Sequence, residues 1–491
     1  MARTRIIDRA STKQLFKFMI EKKLTRRALI NTIHRRMYQE LVVVNPDNRP
    51  RRVQEGKHAL MMGLLHGFDR AMSRGFISKH VVRRMLDTFL ENVALSEQHV
   101  RNIAASLGFR PPLFVVVSPT GRCNLRCVGC YAASGPEGAG GNLSFDVFDR
   151  ILREKREMWD SHFTVISGGE PLLWRDNGRD ILDMAARHPT DLFMMYTNGT
   201  LITDDVARRM AELGNITPAV SVEGFEKETD ERRGKGVYAK TLTAFENLRR
   251  HGVVFGISVT PTRKNWQVAT SDEFVDFYFD RQGVVYCWVF QYMPVGRGPS
   301  LDLMVSPPDR VEMLRRTERF VRERKVFYAD FWNSGIASSG CISAGRPGGY
   351  FYIDWNGDVM PCVFVPYAVD NINDVYRRGE NINVVLKAPF FQKIRDWQNN
   401  YGYAQPAEDV HNWLCPCPVR DHFSYVRDSA LETNARPINE EAAAALKDPA
   451  YYDGMAQYDR EVEELTAPLW QEWYAEVPAP REAESLEEAR V

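Results

Sequence analysis

From Pro111 onward, short β-branched or aromatic runs alternate with amphipathic helical stretches at 113–117, 163–167, 192–197, 216–222, 253–260 and 284–292, and no other feature constrains the fold as much. Segments such as Phe145 to Trp159 and Asp204 to Leu213 are long enough to be crossover helices, so successive strands are expected to run parallel. Six such units predict an α/β fold, an open partial (β/α)6 barrel. Reactive groups in architectures of this kind sit at the C-terminal ends of the strands.

At 491 residues and 44% hydrophobic content the chain has room for more than the barrel. The expected organisation is a helical N-terminal region at 1–110, the barrel at 111–305, a cysteine-bearing C-terminal domain at 306–425 and an acidic helical tail at 426–491. Leu29, Ile30, Ile33, Met37 and Leu41 recur near helical spacing with Arg26, Arg27, Arg35 and Arg36 between them. That stripe suits packing on the main domain, and its basic flanks also suit peripheral contact with an anionic membrane surface. The formal net charge is zero, yet residues 1–60 carry 15 Lys and Arg against 5 acids, while residues 421–491 carry 6 against 17. Such a balance gives no reason to expect a nucleic-acid partner. The polar, basic start has no apolar core of a signal peptide, and no apolar run is long enough to span a bilayer, so a cytoplasmic location is expected.

Eight cysteines in a long reduced-compartment chain point to ligation rather than disulfides. Cys123, Cys127 and Cys130 form a C-x3-C-x2-C loop directly after the first strand run. Structural zinc takes four closed ligands and an ordinary 4Fe-4S cluster takes four cysteines, whereas three leave one iron open to a small molecule. A zinc site completed by a remote histidine also fits the three thiols. Cys287 stands in an apolar strand run and reads as a core thiol. The second run ends in Ser167-Gly168-Gly169-Glu170-Pro171, where paired glycines permit close backbone approach to a ligand. Later strand ends carry Thr197-Asn198-Gly199, Ser221-Val222-Glu223-Gly224 and Arg232-Arg233-Gly234, each of which alone suits a turn.

Taken together these segments resemble the radical S-adenosylmethionine superfamily over about residues 112–300. The resemblance implies that Cys123, Cys127 and Cys130 hold a 4Fe-4S cluster whose open iron is chelated by S-adenosyl-L-methionine, and that reductive cleavage yields a 5'-deoxyadenosyl radical. It further implies that Gly168 and Gly169 hold the methionine amino group, with Glu170 as its countercharge. Asn198 belongs to the same set of cofactor contacts, Ser221 and Glu223 would meet the ribose, and Arg233 the methionine carboxylate. Two residues depart from the family pattern. Gly129 stands where many relatives have an aromatic residue, with Tyr131 offering an aromatic face nearby, and Glu223 replaces a more usual aspartate.

Beyond the barrel, Cys341 and Cys362 bracket two strand-like pieces around an Asn356-Gly357 turn, and Cys415-Pro416-Cys417 supplies two further thiols. The spacing from Gly357 to Cys362 resembles the auxiliary-cluster extensions called SPASM and twitch. With four cysteines after the barrel, the resemblance implies one second 4Fe-4S cluster on Cys341, Cys362, Cys415 and Cys417. A zinc clip fits the same four thiols.

The expected chemistry is functionalisation of an unreactive C-H bond, driven by a low-potential electron donor such as flavodoxin or ferredoxin. A peptide or protein side chain is the first expectation for the substrate, and a lipid or other apolar small molecule is the second. A non-catalytic iron-sulfur carrier is the third reading, and the Gly-Gly-Glu segment argues against it. No acid, base or radical-relay residue is identified. Tyr292, Met293 and Arg297, at the end of the sixth run, suit either substrate contact or core packing.

Overall fold

The computed structural model describes residues 20, 22–92, 97–137 and 140–475. The basic stretch at 1–19 and the acidic tail beyond residue 475 lie outside them. Six strands follow the predicted alternation: β1 (Phe114–Val117), β2 (Phe163–Ile166), β3 (Leu192–Thr197), β4 (Ile216–Val222), β5 (Gly256–Val259) and β6 (Tyr286–Val289). Each pairs in parallel with its predecessor. This sequential order, with helical crossovers, is that of a partial (β/α)6 barrel. The strands read as continuous apolar runs because both faces are covered, and Val115, Val117, Ile166, Phe193, Val220 and Ile257 are fully buried.

Local chemistry sets where the crossover helices begin. Ser144 accepts the Val147 amide at 3.3 Å to start the helix Phe145–Trp159. Thr203 does the same for Asp204–Leu213, which Gly214 closes at φ +65°.

The sheet does not stop at six strands. β7 (Phe327–Asp330) adds in parallel to β6. On the other edge β8 (Tyr350–Ile353) runs parallel to β1, pairing Phe114 with Tyr350 and Val117 with Ile353. β9 (Asp358–Met360) and β10 (Asp370–Asn371) then continue antiparallel, giving ten strands in the order β10-β9-β8-β1-β2-β3-β4-β5-β6-β7. The Asn356-Gly357 hairpin is therefore hydrogen-bonded to the first barrel strand. Gly357 turns it at φ +87°, and Asp354 Oδ1 accepts the amides of Asn356 and Asp358 at 2.9 Å each.

The N-terminal stripe packs inward. In the helix Lys23–Tyr38, Leu29 and Ile30 are buried, and Arg26 is buried beside them with its Nε 2.5 Å from Asp69 Oδ1. Asp69 belongs to the helix Arg51–Ser73, which lies against the strand starts so closely that a Cβ on Gly63 would sit 2.5 Å from the Val326 carbonyl oxygen. A Cβ on Gly67 would be equally close to that of Val285. No helix among the described residues is long and apolar enough to cross a membrane.

Since neither carbonyl can yield without distorting the strands, Gly63→Leu is expected to lower unfolding stability by about 1–3 kcal/mol. Urea denaturation with an unchanged slope and a lower midpoint checks this.

Candidate active site

The cysteine loop begins where β1 ends and is held against the end of β2 chiefly by backbone. The amide of Gly169 donates to the Thr120 carbonyl at 2.9 Å, and that of Glu170 to Arg122 at 2.8 Å. A Cβ on Gly169 would lie 2.1 Å from the Arg122 oxygen, and one on Gly168, which has φ +113°, 2.8 Å from that of Thr120. What the glycine pair approaches closely is thus the cysteine loop itself.

Glu170 does not line the adjoining cavity, contrary to the countercharge role expected for it. Its carboxylate is fully buried, with Oε1 accepting from Leu172 N at 3.1 Å and Thr197 Oγ1 at 2.8 Å, and Oε2 accepting from Asn198 N at 2.8 Å. Burial raises its pKa despite these donors. Held this way, Asn198 directs its Nδ2 toward Cys123 Sγ at 3.7 Å, and Leu125 N lies 3.4 Å from the same sulfur. Burial pushes the Cys123 thiol up to about 12, so a metal would have to displace its proton.

Glu223 also departs from expectation. Its Oε1 accepts from Arg232 Nη1 at 2.5 Å and Arg233 Nε at 2.7 Å, and its Oε2 from Thr260 N at 3.1 Å, which leaves ribose contact to other groups. Burial opposes the Arg233 charge, but Glu223 and Cys127 beside it hold its pKa above the ordinary guanidinium value. Arg233 and Ser221 do line the cavity, with Ser221 Oγ 3.1 Å from Ser258 Oγ.

Cys123, Cys127 and Cys130 stand on the wall of this cavity of about 300 Å³, with Gly168, Gly169 and Asn198. Gly129 is part of the same wall, and a Cβ there would meet the ring of Tyr292 at 2.5 Å. The aromatic face beside the loop therefore comes from the end of β6. Tyr131 also lines the cavity, its hydroxyl 2.5 Å from Ser167 Oγ and its ring edge-on against Phe364. Arg297, whose sequence context gave no sign of this role, staples the loop. Its Nη1 donates to Cys127 O at 3.0 Å, and its Nη2 to Ala133 O at 2.9 Å and to Ser134 O.

The four later cysteines divide. Cys341, Cys362 and Cys417 approach one another, each neighbour raising the pKa of the Cys417 thiol, which burial and Asp421 also raise. Cys362 Sγ is 2.9 Å from the Tyr350 hydroxyl, and burial pushes its thiol up to about 12. Cys415 is turned away and donates to Glu463 Oε2 at 2.7 Å, in the helix Pro449–Trp473. Among the described residues no three Cys, His, Asp or Glu side chains meet at the geometry of a metal site.

The donor chemistry nonetheless fits iron-sulfur ligation. Among the described residues no carboxylate is hydrogen-bonded to a loop thiol, and N-H groups of Asn198 and Leu125 face Cys123 as donors face the sulfurs of such clusters. A cysteine loop and cavity at the C-terminal ends of a partial barrel define an iron-sulfur enzyme of the (β/α)6 class. The Radical SAM superfamily profile matches residues 117–275. The mycofactocin maturase of Mycobacterium tuberculosis is 30% identical over 302 residues, covering 60% of this chain and 75% of its own. An AdoMet-dependent heme synthase of Methanosarcina barkeri is 28% identical over 315 residues, covering 58% and 85%. Among solved structures, Streptococcus suis SuiB bound to precursor peptide SuiA aligns with a TM-score of 0.49 at 20% identity, over 61% of this chain and 71% of that one. The chain belongs to the radical SAM superfamily, and its cofactors are a 4Fe-4S cluster and S-adenosyl-L-methionine.

Removing the Arg297 staple frees three loop carbonyls without touching a thiol. Arg297→Ala is expected to lose iron to a chelator about 10–100 times faster than the unmodified protein, read from the decay of iron-sulfur absorbance.

Proposed function

We propose that the chain functionalises an unreactive C-H bond of a peptide or protein side chain within the cavity bordered by Cys123, Cys127 and Cys130. The observation that carries this reading is the arrangement of two adjoining cavities. The first, beside the cysteine loop, is walled on its far side by Trp288, Phe290, Phe331 and Phe364. The second, of about 490 Å³, shares Tyr131, Val363 and Phe364 with it and is lined also by Asp354, Asn439 and Glu441. An apolar chamber suits a side chain at the reacting carbon, and a roomier one beside it, edged by a few polar side chains, suits the backbone that carries it. The maturase among the relatives is in keeping with this substrate class.

In this reading Cys123, Cys127 and Cys130 hold the cluster, and Asn198 orients Cys123. Gly168, Gly169, Ser221 and Arg233 receive S-adenosyl-L-methionine, and Arg233 offers it a guanidinium held in place by Glu223. When bound, the two cofactors supply a 5'-deoxyadenosyl radical that removes a hydrogen atom from carbon. The chain's own contribution is positioning and enclosure: aromatic walls exclude water, and Tyr292 closes the side of the loop that Gly129 leaves open. Cys341, Cys362 and Cys417, with Cys415 as a fourth ligand once its sulfur leaves Glu463, hold a second 4Fe-4S cluster that binds substrate or takes up an electron from the product radical. A flavodoxin- or ferredoxin-like protein supplies the reducing electron. The apolar chamber equally favours an apolar lipid as the second reading.

Reconstituted, reduced protein is expected to convert S-adenosyl-L-methionine to 5'-deoxyadenosine and methionine, and Cys127→Ala to abolish this. Deuterium entering 5'-deoxyadenosine from a deuterated peptide extract of the producing cells supports the peptide reading. Transfer only from the lipid extract moves the assignment to the second. Separately, Cys417→Ala is expected to lower bound iron from about eight to about four per chain. Zinc in place of the second four irons in the unmodified protein would make that site a structural clip.

A further inference from the structure

The first cavity is largely apolar on the side away from the cysteine loop, its few polar groups including the Tyr196 hydroxyl and Gln291. Phe290, Phe331 and Phe364 pack there with ring centroids 5.5–6.2 Å apart, and Tyr196 stands edge-on to Phe290 at 5.4 Å. Among them is Gln291, a lining residue only 1% exposed. Its Nε2 donates to Asp330 Oδ2 at 2.8 Å, while its Oε1 is buried with no hydrogen-bond partner. An orphaned amide oxygen in such surroundings is a cost that native structures rarely retain without a purpose.

The neighbours of Asp330 decide which way the amide faces. Asp330 is fully buried at the end of β7, and its Oδ1 accepts the amides of Trp332 at 3.0 Å and Asn333 at 3.2 Å. With those donors engaged, turning the Gln291 amide over would set its oxygen against a carboxylate oxygen. Asn333 is itself fixed: it accepts from Arg310 Nε at 3.0 Å, and Arg310 pairs with Asp421, whose Oδ2 accepts the Cys417 amide at 3.2 Å. A continuous set of buried polar groups thus runs from the loop of Cys417 to the Gln291 amide among the aromatic walls.

We propose that Gln291 is a substrate-recognition residue, its Oε1 accepting a hydrogen bond from an uncharged, largely apolar substrate group that carries one O-H or N-H donor. A carboxylate-bearing group is disfavoured here, because it brings a second acceptor and a charge to an aromatic wall, the lining cations Arg232 and Arg233 standing beside the cysteine loop instead. This inference rests on the cavity being the reaction chamber proposed above.

Equilibrium dialysis of p-cresol, toluene and benzoate against the anaerobic holoenzyme with S-adenosyl-L-methionine bound tests it. The probes share a ring size and differ in what they present to Gln291. Satisfying a buried acceptor should make p-cresol bind about tenfold tighter than toluene, with benzoate weaker than p-cresol. In Gln291→Met the p-cresol preference should disappear. Asp330→Asn is a second variant: its Oδ1 retains the two backbone donors while its amide nitrogen faces Gln291 and turns that amide over, presenting an N-H that favours acceptors, so benzoate should gain on p-cresol. Equal binding of p-cresol and toluene by the unmodified protein overturns the inference, and so does an undiminished preference in folded Gln291→Met or an unchanged benzoate to p-cresol ratio in folded Asp330→Asn. Should both variants lose iron, the comparison in the unmodified protein decides. Cleavage of S-adenosyl-L-methionine on the same preparation separates the two levels: without it the chamber reading fails, whereas cleavage without a donor preference defeats only the role of Gln291.

Discussion

Everything at the active face depends on the approach of Gly168 and Gly169 to the Thr120 and Arg122 carbonyls. The amides of Gly169 and Glu170 close two hydrogen bonds there, with no space for a Cβ on either glycine. This contact carries the cysteine loop off the end of β1 and lays it over β2. The same backbone turn sends Glu170 inward, where it holds Asn198 at the end of β3 and so reaches Cys123. Three strand ends are thereby tied to one sulfur. Because the ties are backbone bonds and a buried carboxylate, they leave the side of the loop facing the cavity open.

Buried charge serves the same end farther round the barrel. Glu223 gathers Arg232 and Arg233, and the Arg232 carbonyl accepts the Val128 amide of the cysteine loop at 2.9 Å. Breaking such a pair by removing one partner typically costs about 3–5 kcal/mol, because the other charge is left buried. Arg310 and Asp421, both fully buried, do for the Cys417 loop what Glu223 does here. These pairs fix loops that carry thiols, and that placement accounts for spending buried ions where apolar packing would give comparable stability.

The two cysteine regions share one sheet. β8 continues the parallel ladder beyond β1, which brings Tyr350 and Cys362 to the edge of the cavity, and the hairpin turn reaches back so that Trp355 packs on Gly121. β7 extends the opposite edge and presents Asp330 to Gln291. The cavity is therefore closed at both edges by segments that follow the barrel in sequence. Its aromatic walls come from β6, from the residues after β7 and from the loop after Cys362.

The sequence by itself determined the strands, their parallel order and the cysteine loop, because alternation of apolar runs with helical stretches and the spacing of Cys123, Cys127 and Cys130 are local signals. It also marked Gly168, Gly169, Asn198 and Ser221, each adjacent to a strand end, and Arg233, which the structure places at the end of the helix Glu226–Arg233. Only the tertiary structure decided what these residues touch. Glu170 and Glu223 turn inward because donors from distant segments converge on them, and Cys415 faces Glu463 because the helix Pro449–Trp473 packs there. That Tyr292 fills the space beside Gly129, that Arg297 staples the loop and that Gln291 keeps an unpaired oxygen are equally non-local facts. Hydrogen bonds and van der Waals contacts act over a few ångströms, here between residues from 10 to 170 positions apart in the chain. No periodicity or spacing records them.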